Sequence, residues 1–202
     1  MFRLLFVLCG ALTPVLCCDW LERYHKLSND SLVHIQLMGG GLTEQQSPVP
    51  FPDKLYRQIY KAKVESQLVF IRDNLELIGC LYRHDNLSSA SWDPIRIKHF
   101  LDIIYRQAEE VTACVRGQTG RETARETDGE TDGLSHCMST NRTTNPRLRD
   151  FYRRLSNSTV TPTGGSVASW ELIRKQTVRL LQRLDLLAAS IRRRSPPNPQ
   201  RH

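Results

Sequence analysis

Residues 166–191 read SVASWELIRKQTVRLLQRLDLLAASI. Trp170, Ile173, Thr177, Leu180, Leu184, Leu187 and Ile191 recur at intervals of three and four, which places them on one side of an α-helix. Thr177 is the weak member of that stripe. Lys175, Arg179 and Arg183, spaced by four, form a basic ridge on another side. The stripe requires an apolar partner surface. The ridge is either a solvated side or a working face, and periodicity alone does not separate the two.

Working outward, the same helical period recurs. Residues 18–38 place Trp20, Tyr24, Leu27, Leu32, Ile35 and Met38 on a first stripe. GGGLTEQQSPVPFP, residues 39–52, then breaks the pattern with three glycines and three prolines, too long for a hairpin turn. A second helix is expected from about Asp53 to Arg83, with a register shift near Lys63. A third is expected to start at Asp93, which can cap free backbone N–H groups, followed by Pro94 at the first helical position. Its inward residues are Ile97, Phe100, Leu101, Ile104, Ala108, Val111 and Val115. Residues 116–138, polar and nearly repetitive (RETARETDGETDG), read as a disordered insert. A fourth helix begins near Pro146 and buries Leu148, Phe151 and Leu155; the fifth is capped by Ser166. No segment alternates as a strand does. The expected fold is all-α, a five-helix bundle. The long loop after the first helix lets the first two helices run parallel, giving an up-up-down-down order.

The ends and the cysteines point outside the cell. Residues 1–17 combine a weakly basic start with an apolar run too short to span a bilayer with ease, as a signal peptide does. Cleavage before Cys18 is expected, and no later stretch is apolar enough for a membrane. Residues 18–191 then form the helical domain and 192–202 a basic, disordered tail. Cys18, Cys80, Cys114 and Cys137 remain, with three possible pairings in an oxidising compartment. Asn29, Asn86, Asn141 and Asn157 each begin an N-x-[ST] sequon and are glycosylation candidates. The formal charge is +7, and residues 171–202 hold eight Arg and Lys against two acids. That basic end suits acidic receptor loops, heparan sulfate or an anionic membrane.

Catalytic chemistry finds no support. His25, His34, His84, His99, His136 and His202 are scattered without metal-binding spacing, and there is no C-x-x-C, nucleophile elbow or phosphate loop. The expectation is no enzyme, no cofactor, no metal and no nucleic acid.

Four stretches in order resemble type I interferons, most closely the teleost group that keeps one disulfide. They are CDWLERYHKLSNDSLVHIQLMGG, FPDKLYRQIYKAKVESQLVFIRDNL, WDPIRIKHFLDIIYRQAEEVTACV, and the pair RLRDFYRRL and SWELIRKQTVRLLQRLDLL. The resemblance implies a monomeric, secreted antiviral cytokine of five helices that joins two class II cytokine receptor chains and triggers JAK–STAT signalling. It implies a bond between Cys18 and Cys114, closing a loop of 97 residues. A second family bond is missing, because Ala168 stands where other members carry a cysteine. Cys80, on a helix side with Asp73, Glu76 and Arg83 that flanks the core stripe rather than joining it, and Cys137 are departures, either a second disulfide or free thiols. The family's high-affinity receptor face implies Arg174, Lys175, Val178, Arg179 and Arg183 as contacts. In the loop of that face Gln46 replaces a key arginine of mammalian members. The opposite face implies Arg96, Tyr105 and Arg149. Trp170 and Phe151 match family positions and read as core. The alternatives are a helical cytokine of another family, or a cationic membrane-active, antimicrobial protein acting through its C-terminal basic helix and tail.

Overall fold

The computed structural model describes residues 19–119 and 145–194. The expected signal peptide, residues 1–17, together with Cys18, residues 120–144 with Asn141 and Cys137, and residues 195–202, lies outside the described residues. Six α-helices are described: α1 (Asp19–Leu37), α2 (Asp53–Ile59), α3 (Val64–Leu81), α4 (Pro94–Thr119), α5 (Pro146–Thr159) and α6 (Val167–Arg194). No strand occurs among the described residues.

The expected second helix is two helices. The register shift near Lys63 marks a real break, where Lys61 N–H bonds to Gln58 O and Ala62 N–H to Ile59 O, and Lys63 turns extended. The end of a helix leaves carbonyls without partners. Here Gln67 reaches back from α3, and its Nε2 donates to Ile59 O at 2.9 Å and Tyr60 O at 3.1 Å. The fully buried Gln67 amide thus holds the two helices end to end.

The other helix starts follow the sequence. Asp93 Oδ1 accepts from Ile95 N at 2.9 Å, and Ser166 Oγ accepts from Ser169 N at 3.3 Å. Asn145 caps α5 in the same way, accepting from Arg147 N at 3.0 Å. Two ends differ from expectation. Helix α4 continues to Thr119, four residues into the expected insert. Helix α6 continues to Arg194, so the first three arginines of the expected tail are its last turn. Cations there face the negative end of the helix dipole. Arg194 also donates to Gln67 Oε1 at 2.6 Å and to Ser190 O at 3.1 Å, which anchors that turn.

Cross-helix contacts fix the directions. Arg23 meets Glu110, Gln107 Nε2 donates to Leu27 O, and Asp93 N–H donates to Met38 O, so α1 and α4 are antiparallel. Gly79 of α3 lies against Tyr105 of α4, while Tyr82, just past the end of α3, meets Phe100 near the start of α4, so those two helices are antiparallel. The start of α6 meets the ends of α1 and α3, while Arg194 meets the start of α3. The order is therefore up-up-down-down for α1, α3, α4 and α6, with α5 packed on α3 and α6.

The core runs the length of the bundle. Every member of the α6 stripe is buried, Thr177 included. Its hydroxyl donates to Ile173 O at 2.9 Å and accepts from Tyr82 Oη at 3.2 Å, so a polar residue serves a buried tyrosine. At one end Tyr82 and Phe100 meet edge-on, and Trp92 packs against Trp170. At the other end Tyr56 and Tyr152 both donate to Asn74 Oδ1 at 3.1 Å, and Asn74 Nδ2 donates to Phe70 O at 2.8 Å. Burial pushes the hydroxyls of Tyr24, Tyr56, Tyr82 and Tyr152 up in pKa, so all remain neutral.

Helix α3 is the most enclosed element, and this corrects the reading of Cys80. The side bearing Asp73 and Cys80 is not a flank: Asp73 is 1% and Cys80 5% exposed. Neither Cys80 nor Cys114 is a free thiol, for both are disulfide-bonded. Asp73 accepts from Arg72 Nη2 at 2.6 Å and from Asn145 N at 3.3 Å. Burial raises its pKa despite the opposing pull of Arg72 and the Asn145 N–H.

Candidate receptor face

The basic ridge of α6 is the seat of the crossover loop, residues 38–52. Arg174 is the largest correction to the expected contacts. Its side chain is fully buried, not displayed. Its Nη1 donates to Gln36 O at 2.9 Å and Ile35 O at 3.3 Å, and its Nη2 to Gly41 O at 3.2 Å and to Gly40 O. These are the free carbonyls at the end of α1 and the turn that follows. Glu171 Oε2 completes the site, 2.7 Å from Nη2, while its Oε1 accepts from Trp92 Nε1 at 2.7 Å. One guanidinium therefore ties α1, the loop and α6 together, using the planar fork that lysine lacks.

Gly39 is fixed by the same cluster. A Cβ there would lie 2.8 Å from the Trp92 ring and 3.0 Å from Glu171 Oε1. Further along the loop Lys175 Nζ donates to Gln45 O at 2.9 Å. The Arg179 guanidinium then covers the Phe51 ring at 4.2 Å from its centroid, with Arg183 at 5.8 Å. Both arginines share Asp53, at 3.7 and 3.6 Å. Such half-exposed pairs contribute little individually, but cation–π stacking and the shared carboxylate fix where the loop lies.

Of the five residues implied on this face, two are withdrawn from the surface. Arg174 is buried as above, and Val178 is 5% exposed. Lys175 and Arg183 are half-buried, and Arg179 is exposed. Gln46 is exposed on the seated loop. Sequence reading missed Leu186. It stands on the ridge seven residues after Arg179 and is 53% exposed. The available signal was an apolar residue lying off the core stripe and on the line of the cations.

The three residues implied on the opposite face do not form one patch. Arg96 and Tyr105 are nine residues apart on α4, half a turn out of phase. Tyr105 lies on the α3 side, where its Oη accepts from Arg83 Nε at 2.9 Å and Gly79 leaves room for the ring. Arg96 lies on the side of His99, whose ring meets His34 of α1, and pairs with Asp93 at 3.4 Å. Arg149 is half-buried on α5. Among the sequons, Asn29 and Asn157 are exposed and Asn86 is half-buried, with its carbonyl accepting from Trp170 Nε1 at 3.0 Å. Among the described residues no group of three or more metal-ligating side chains occurs, and no helix is long and apolar enough to cross a membrane.

A bundle of long helices in up-up-down-down order, with a crossover loop strapped to its last helix, defines a helical cytokine. The family model of the interferon alpha/beta domain matches residues 41–191. Interferon a3 of Oncorhynchus mykiss is 32% identical over 186 residues, which cover 92% of this chain and 93% of that one. The solved structure of zebrafish interferon 1 superposes with a TM-score of 0.66 at 27% identity, covering 86% of this chain and 99% of that one. The chain belongs to the interferon alpha/beta family, whose members are cytokines and not enzymes.

Proposed function

We propose that the mature chain, from Cys18, is a secreted antiviral cytokine that bridges two class II cytokine receptor chains as a monomer and starts JAK–STAT induction of antiviral genes. The observation that carries this reading is the strapped loop. Arg174, Lys175 and Arg179 hold the loop on α6, so loop and helix offer one preformed surface. A preformed surface loses little conformational entropy on binding. Arg179, Arg183 and the exposed Leu186 continue that surface along one side of α6, an apolar side chain beyond two cations suited to an acidic receptor surface. The membrane-active reading is weaker, because the apolar stripe of α6 is the bundle's own core.

The same reading assigns the disulfides. Cys80 and Cys114 are each bonded but are not placed to bond each other. Gly79 touches Tyr105, and Cys114 lies nine residues further along α4, about 13 Å away and beyond disulfide reach. Arg23 meets Glu110, so the start of α1 runs toward Cys114. These contacts favour Cys18–Cys114, and hence Cys80–Cys137.

The test is an interferon-response promoter reporter in fish cells treated with the purified mature protein. An Arg179→Ala/Leu186→Ala variant, with an unchanged thermal melt, is expected to need at least about tenfold more protein for half-maximal induction. Equal potency would remove the ridge from the receptor face, and silence of the folded parent would overturn the antiviral reading. Light scattering on a mixture with two receptor ectodomains should give a 1:1:1 complex.

A further inference from the structure

The basic end, residues 171–202, is the sequence's obvious contact for a polyanion, yet the structure engages much of it. Lys175 and Arg179 hold the loop, and Arg194 is anchored on Gln67. A second concentration of cations emerges only in the fold. Residues 53–63 hold four Lys and Arg against one acid, and residues 146–159 four Arg against one acid, a combined net charge of +6. The two segments are remote in sequence, but α2 and α5 lie side by side, with Arg147 Nη1 donating to Gln58 Oε1 at 3.3 Å. Between them opens a cleft of about 490 Å³. Buried Leu55 and Phe151 line its floor, and exposed Lys54, Arg147 and Arg154 line its walls. Its one acid, Asp150, is already paired with Arg153 at 2.7 Å and Arg154 at 3.1 Å.

We propose that this cleft binds a chain of sulfated glycosaminoglycan, a partner met only outside the cell, so the inference rests on the secreted reading above. The occupant must carry anions along both edges, because cations stand on both walls, and an apolar body to meet Leu55 and Phe151. A sulfated sugar chain has both: sulfate and carboxylate groups project from its edges, and its rings offer C–H faces. Guanidinium groups suit sulfate through paired hydrogen bonds. A concave cleft fits a narrow chain better than a flat lipid surface. None of Lys54, Arg147 and Arg154 belongs to the receptor contacts named above, so retention on a glycan and signalling are separable.

The experiment titrates the mature protein with a heparin-derived hexasaccharide by calorimetry, at low salt and at about 0.15 M ionic strength. Two variants run beside it, Lys54→Ala/Arg147→Ala/Arg154→Ala and Arg192→Ala/Arg193→Ala/Arg194→Ala, each checked by thermal melt. The cleft variant is expected to bind at least about tenfold more weakly, with a salt dependence flatter by roughly two to three ions, and to keep its reporter potency. Binding by the cleft variant within about twofold of the parent would overturn the proposal, and so would loss confined to the α6 variant. A glutamate-rich peptide of equal charge that binds the cleft as tightly would replace the glycan with an acidic protein. A parent that binds the hexasaccharide through the cleft but stays silent in the reporter would sink the signalling reading and leave the glycan site standing.

Discussion

Arg174 shows how one side chain can be read correctly as important and wrongly as exposed. It stands one residue before Lys175 on a charged helix side, and an alignment to the family puts it on the receptor face. Its five donors are instead spent on the carbonyls at the end of α1 and in the turn that follows, and on Glu171. Truncating one partner of a buried ion pair leaves an uncompensated charge and unsatisfied acceptors. Arg174→Ala is therefore expected to lose about 3–5 kcal/mol in urea unfolding, and Arg174→Lys to recover only part. A variant that keeps parental stability but loses induction would return Arg174 to the receptor. The pattern around it was legible in part. Lys175, Arg179 and Arg183 are ordinary helix-surface cations by spacing, and nothing in spacing says that Gln45, Phe51 and Asp53 lie beneath them.

Helix α3 carries the lesson at the scale of elements. A helix on the outside of a bundle has one apolar stripe, but α3 touches α4, α5 and α6 and has little outside left. Polar residues on its second side must then find partners in the interior. Asn74 serves two tyrosines, Gln67 closes the end of α2, and Asp73 meets Arg72 and the start of α5. The Asp73 carboxyl has a testable pH signature. Its folded-state pKa lies above the unfolded value of about 3.9, so the native state holds the proton to higher pH. Its contribution to stability is complete below the unfolded value and is lost as pH rises through the folded one. The stability of the parent relative to Asp73→Asn should therefore be highest near pH 4, by urea unfolding, and decline toward neutrality. A gap that widens as pH rises would contradict the raised pKa.

At the scale of the whole molecule, covalent closure and charge complete the account. If Cys18 pairs with Cys114, the bond closes 97 residues and contributes roughly 4–5 kcal/mol by restricting the unfolded chain. Cys114→Ser should then lower the thermal midpoint strongly, and mass spectrometry of the non-reduced parent should find the 18–114 linkage. A stability loss below about 1 kcal/mol would argue against a bond that closes so long a loop. The fold itself was legible because helical periodicity is local. Stripes at three and four, Asp93-Pro94, Ser166 and the Gly- and Pro-rich loop fixed the helices and their order, and the family resemblance rests on the same residues. The burial of Arg174, Val178 and Cys80, and the joining of two distant basic segments around one cleft, were decided by the tertiary structure. The physical reason is common to all of them. Sequence spacing states which residues share a helix side, but only packing decides whether that side meets water, a loop or another helix.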